Sequence, residues 1–218
     1  NIPASKKGSK PRVVEKQTGP AELVSHKASD QTHLVLGFRA FSIFDKRRHA
    51  LKIMADILGG GMSSRLFQRI REEMGAAYYV NASDDLYSDH GLFTMTSGVQ
   101  HQKIEAVIRA ALEEFGRFRE ALVPVNELKR AKDHLTGSMF ISLEGSDEIG
   151  GFCASQEIMG MPLVSPASLA RSLKAVTAEE IRSVARAILK PERLNLAPAI
   201  KLAGEEIARS GGSAALRR

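Results

Sequence analysis

Between Leu58 and Val80 the chain reads LGGGMSSRLFQRIREEMGAAYYV, and the three successive glycines decide how the flanking segments can be arranged. Glycine loses the most backbone freedom on ordering, so a regular helix is expected to stop at Gly59, Gly60 and Gly61. Upstream, Leu51, Met54 and Leu58 fall at i, i+3 and i+7, with Ile53 and Ile57 widening the stripe. That spacing predicts an amphipathic helix over 46–58 with Asp45 as its cap. Downstream, Ser63 is placed to cap a second helix whose Leu66, Phe67, Ile70 and Met74 face inward, and Gly75 is placed to end it in the left-handed conformation. The segments AAYYVNASDDLY and LFTMTSGVQ, separated by SDHG, then read as an antiparallel hairpin.

The same reasoning extends along the chain. AELVSHKA and THLVLGFRA are β-rich, and the second has apolar residues on both faces, as expected of a central strand. Ile104, Val107, Ile108, Ala111, Leu112 and Phe115 form the cleanest helical stripe, so a helix over 102–122 is expected to lie on the sheet. Pro124 suits the first turn of a helix running to about Ser142, and an apolar helical segment follows from Ser146 to Met159. Ser165 and Pro166 open a short helix ending near Ala175, Thr177 with Glu180 forms a capping box, and a last strand is expected over 194–199. Strands joined as a hairpin, with helices gathered in runs, predict an α+β fold: a two-layer α/β sandwich with a mostly antiparallel sheet and helices packed on one face. Residues 1–20 read as a linker or flexible arm, 21–200 as one domain and 201–218 as a flexible basic tail.

The net charge of +6 over 218 residues invites a nucleic-acid reading until the charge is located. Lys6, Lys7, Lys10, Arg12 and Lys16 against Glu15 place +4 in residues 1–16, and Lys201, Arg209, Arg217 and Arg218 against Glu205 and Glu206 place +2 at the other end. The body from Gln17 to Ile200 is therefore neutral, and no nucleic-acid partner is expected. No run of eighteen apolar residues exists and no apolar segment follows the first lysines, so neither a membrane partner nor a secretory signal is expected. The single cysteine, Cys153, forms no internal disulfide, which fits a reducing compartment and a cytoplasmic location. Asn1 in place of an initiator Met points to a processed chain or part of a longer one.

The glycines at 59–61 lack the lysine and spacing of a phosphate loop and follow a helix where such loops follow a strand, so a plain turn is favoured. None of His26, His33, His49, His90, His101 and His134 stands four residues from another on an expected helix, so no His-x-x-Glu-His motif is present and no zinc site is expected in this chain. No Gly-x-Ser-x-Gly elbow supports a Ser-His-Asp triad. Asp84, Asp85, Asp89, Glu72 and Glu73 read as turn and helix-surface acids, and Cys153 as a buried small apolar side chain.

The run LGGGMSSRLFQRIREEMGAAYYV closely resembles the C-terminal half of the pitrilysin/insulinase family of zinc metallopeptidases. Members of that family carry a glycine-rich turn, a Ser-Ser-Arg-Leu-Phe helix start, an Arg-Glu pair and a Gly-Leu-Ala-Tyr-Ser-Val-like strand. The preceding QTHLVLGFRA strand and the later LKRAKDHLTGSM helix are similar as well, so the resemblance covers about residues 20–200. It implies one half of a clamshell that closes on a peptide substrate, with zinc and His-x-x-Glu-His in a complementary N-terminal half. By resemblance, Arg71 and Tyr78 match the Arg and Tyr that reach the substrate backbone and the scissile carbonyl. The resemblance implies that the chain is the C-terminal, non-zinc half of a bacterial-type metalloendopeptidase, expected to be inactive alone. The alternative is a non-catalytic scaffold or partner subunit, and a homodimer is left open. Two departures stand out: Ala76 replaces the usual leucine and Tyr79 the usual serine. On a regular strand Tyr79 points away from Tyr78 and is the weaker candidate. Without the resemblance, the mundane reading pairs Arg71 with Glu72, Glu73 or a helix end and half-buries Tyr78 in a strand.

Overall fold

The computed structural model describes residues 11, 13–26 and 29–200. The arm and tail expected at the two ends fall largely outside these residues. Six strands form one sheet: β1 (Ala21–Glu22), β2 (Ser25–His26), β3 (Thr32–Ala40), β4 (Ala77–Leu86), β5 (Gly91–Val99) and β6 (Asn195–Ile200). Across the sheet the order is β1, β6, β3, β5, β4, with β2 also pairing β6. β1 and β2 run parallel to β6, and the remaining pairs are antiparallel. β3 is central as expected, and β4 and β5 form the expected hairpin, closed by the Tyr87 N–H donating to the His90 carbonyl.

All the helices lie on one face of the sheet, and strand alternation records it. On β3, Thr32, Leu34, Leu36 and Phe38 are buried while His33, Val35, Gly37 and Arg39 are half-buried on the opposite, open face. On β5, Phe93, Met95, Ser97 and Val99 point into the core. Phe115 closes edge-on against Phe38 and Phe93, with ring centroids 5.5 and 6.1 Å apart. Each such side chain contributes about 1.5–3 kcal/mol when fully buried.

The helices are α1 (Arg48–Gly59), α2 (Ile104–Glu120), α3 (Val125–Ser142), α4 (Ser146–Ile158), α5 (Pro166–Ala175) and α6 (Ala178–Ile188). The Thr177–Glu180 capping box forms in both directions, and the Ser165 hydroxyl accepts from the Ser168 N–H. α1 starts later than its sequence suggests. Asp45 does not cap it directly; its carboxylate accepts the Arg47 N–H at 2.8 Å and its carbonyl accepts the Arg48 N–H, making a turn that delays helix entry to Arg48. On α2, Leu112 is exposed, and Ala110, Glu114 and Phe118 are buried instead.

Two further expectations are corrected. Cys153 is exposed. α4 meets the body through Phe152, Gln156 and Met159, a stripe that leaves position 153 outside; its one buried residue is Gln156, whose amide bonds the Val164 backbone in both directions. Asp84 is no turn acid: it sits within β4 on the helix side, its side chain 7% exposed, with Lys52 Nζ 3.1 Å away.

Candidate functional site

Arg71 stands on a helical segment that begins at Arg65 and becomes a π-helix over Phe67–Glu73, where an α-helix was expected. Ser63 is exposed and supplies no cap bond, so the start is held instead by the Gln68 N–H donating to the Ser64 carbonyl. At the other end the Met74 N–H reaches the Arg69 carbonyl at i−5, and the Ala76 N–H reaches the Ile70 carbonyl. Gly75 makes that closure possible with φ of +53°, as anticipated. Lys103 Nζ and the Gln100 amide donate to the exposed carbonyls of Met74 and Gly75, a cation at a helix C-terminus that no local pattern announced.

The segment is fastened by its own arginines. Arg65 forks onto Glu127 of α3 at 2.8 and 2.6 Å and stacks on the Phe118 ring, its guanidinium carbon 4.4 Å from the centroid. Arg69 donates to Glu113 and Glu114 of α2. Glu114 is only 2% exposed, and its carboxylate also accepts from Arg117 at 2.8 Å. Arg71 takes no part in this network. It is exposed, lies 4.8 Å from the Phe67 ring centroid, and forms no ion pair or hydrogen bond among the described residues.

Tyr78 is 59% exposed and likewise makes no hydrogen bond among the described residues. β4 is irregular at this point: Ala77 pairs with Val99 and Tyr79 with Gly98, leaving Tyr78 as an extra residue in a β-bulge. Tyr79 behaves differently, its hydroxyl lying 3.0 Å from His33 Nδ1. Of the mundane reading, the helix end holds, since Arg71 stands in the last turn of its segment; among the described residues it pairs with no acid, and Tyr78 is exposed where a half-buried position was expected. No direct bond joins Arg71 to Tyr78; they occupy the two sides of the short link formed by Met74, Gly75 and Ala76.

The glycine turn serves packing. A Cβ on Gly59 would stand 2.2 Å from the Ala82 amide nitrogen, so the end of α1 presses directly on β4. Beside the turn is a cavity of about 390 Å³ lined by Ser63, Ser64, Arg130 and His134, but Asp56 and Glu127 line it too. His134 Nδ1 lies 2.8 Å from Asp56, whose carboxyl burial holds above its ordinary range. Asp56, in the last turn of α1, and Glu127, in the first turn of α3, oppose anion binding. A second cavity of about 500 Å³ opens between α1, α3, α4 and α5, with His49, Lys52 and Asp84 at its polar side and Met139, Phe152 and Met159 among its apolar walls.

Zinc ligands do not assemble. Four of the histidines have separate partners: His33 with Tyr79, His90 with Asp89, His101 with Thr32 and His134 with Asp56. Among the described residues no three His, Cys, Asp or Glu side chains are grouped to hold a metal ion. The donor set here does not fit one.

The chain is similar to known proteins in both sequence and fold. A model of the peptidase M16 inactive domain matches residues 1–135. An uncharacterized zinc protease of Streptomyces coelicolor is 31% identical over 178 residues, covering 82% of this chain and 39% of that protein. The fold is similar to that of a protease from Helicobacter pylori, with a TM-score of 0.79 at 19% identity over 85% of this chain and 45% of that one. It is also similar to a peptidase M16 inactive domain from Pseudomonas fluorescens, with a TM-score of 0.78 at 21% identity over 88% and 46%. The chain thus spans less than half the length of these proteins.

Proposed function

The chain belongs to the peptidase M16 family, the pitrilysin/insulinase group, as its inactive C-terminal domain, and from that premise we propose that it completes the active site of a zinc metalloendopeptidase whose metal is held by a complementary N-terminal half. Arg71 holds the substrate backbone and Tyr78 stabilises the oxyanion that forms when the scissile carbonyl is attacked. The observation that carries this reading is that both side chains are exposed and, among the described residues, form no hydrogen bond or ion pair, at the two sides of a link clamped by Gly75, Gln100 and Lys103. A phenol hydroxyl donates to developing negative charge, and a guanidinium offers a rigid fork of donors to backbone carbonyls. The clamped link holds the two backbone positions in a set relation before substrate arrives, which reduces reorganisation during the reaction.

Tyr78→Phe in the enzyme assembled from this chain and its complementary half is expected to lower turnover by about ten- to a thousand-fold with folding unchanged, the range for one oxyanion donor. The chain alone, with or without zinc, is expected to cleave no peptide. Unchanged turnover in Tyr78→Phe would return Tyr78 to a packing role, and peptide cleavage by the chain alone would overturn the division of labour. An assembled complex that never cleaves peptides would instead mark a scaffold.

A further inference from the structure

Along β4, Val80, Ala82, Asp84 and Leu86 oppose Ser97, Met95, Phe93 and Gly91, on the helix side of the sheet. Tyr79, Asn81, Ser83 and Asp85 occupy the open side. Unbroken alternation would send Tyr78 to the helix side with Val80. The bulge prevents this, and bulges re-aim side chains.

Tyr79 is held in three ways. Its ring lies over Gly98, where a Cβ would come within 2.5 Å of Cε1 and 2.9 Å of Cδ1, so only glycine admits it. Its hydroxyl bonds His33 Nδ1 at 3.0 Å, reaching across β5 to the central strand. Its carbonyl accepts the Ser97 hydroxyl at 2.8 Å. A slip of one residue would break all three attachments together.

We propose that His33 and Tyr79 are positioning residues for Tyr78: their bond across three strands locks the bulge that turns the Tyr78 hydroxyl outward to substrate. Tyr79 and His33 contribute no contact to substrate themselves. The inference rests on the reading of Tyr78 as a substrate-facing group, and it explains why a tyrosine stands where the resemblance leads one to expect a serine.

The test compares Tyr79→Phe, His33→Phe, the double variant and His33→Asn in the assembled enzyme, with Tyr78→Phe as reference. Each single aromatic variant is expected to lower kcat about two- to tenfold, the worth of one hydrogen bond, with KM within about twofold. The double variant is expected to be no worse than either single one, because both remove the same bond. His33→Asn places a polar atom near the position of Nδ1 and is expected to recover most of the loss. In the free chain labelled with 3-fluorotyrosine, the Tyr78 fluorine resonance, identified by its loss in Tyr78→Phe, is expected to move in His33→Phe while that of Tyr87 stays. Unchanged kcat and an unmoved Tyr78 resonance in Tyr79→Phe and His33→Phe, with turnover still lost in Tyr78→Phe, would overturn the proposal. Full turnover in Tyr78→Phe would remove the functional reading instead, and the fluorine shift would still decide whether the bulge is locked in this way.

Discussion

Arg65, Arg69 and Arg71 lie within one short helical segment and meet three different environments. Arg65 and Arg69 are drawn into carboxylates, Glu127 for the first and Glu113 with buried Glu114 for the second, and together they tie the segment to α2 and α3. Among the described residues Arg71 has an aromatic face beside it and no carboxylate. Exposure of an arginine is ordinary, and Arg71 is the one of the three whose guanidinium meets no carboxylate among the described residues. Arg69→Ala is expected to lower the unfolding free energy by about 1–3 kcal/mol, because it strips charge-assisted bonds from a carboxylate that stays buried. Arg71→Ala is expected to lower it by less than about 1 kcal/mol, the range of an exposed cation–π contact. Urea unfolding of the two variants measures the difference. That Arg65 and Arg69 are claimed by acids was not legible in the sequence, since those acids lie more than forty positions away.

At the scale of elements, boundaries written in local chemistry were read closely. The capping box at Thr177, the Ser165 cap with its following proline and the left-handed Gly75 all stand where sequence placed them. The two irregular elements were not legible. Leu66, Ile70 and Met74 recur every four residues, a spacing that a π-helix satisfies as readily as an α-helix, so periodicity could not separate them. The bulge at Tyr78 depends on Gly98 and His33, partners that only the folded sheet brings near. Gly59 carries a related lesson: it was read as a helix stop, yet it remains the last residue of α1, and its missing side chain is what β4 requires. Gly59→Ala is expected to destabilise the fold by about 1–3 kcal/mol, since the new methyl meets backbone that must shift. An accompanying rise in hydrogen exchange across 77–82 would report the displacement of β4. An unchanged unfolding midpoint would show that α1 yields instead.

For the whole molecule, burial of charge beside the larger cavity shapes the dependence of stability on pH. Burial holds the Asp84 carboxyl above its ordinary 3.8 despite the opposing pull of Lys52. The folded state therefore keeps a proton that the unfolded chain has released, and this contribution falls as pH rises through that window. Burial, with Arg48 nearby, holds the His49 imidazole below its ordinary 6.5. There the unfolded chain gains a proton first on acidification, and stability falls as pH drops. The wild-type Tm is expected to fall relative to Asp84→Asn as pH rises above the ordinary carboxylate value of 3.8, and relative to His49→Gln as pH drops below the ordinary imidazole value of 6.5. Parallel curves for wild type and variant would remove the corresponding group from the account. The sheet order carries one last consequence, for the time course of synthesis. β6, residues 195–200, fills the slot between β1 with β2 on one side and β3 on the other, so residues near the start of the domain wait for those near its end. Until the ribosome releases that strand, β3 keeps one edge unpaired over a sheet that is otherwise built. Folding of this domain can therefore finish only after residues 195–200 have emerged, and until then the nascent domain carries its adhesive edge at its centre.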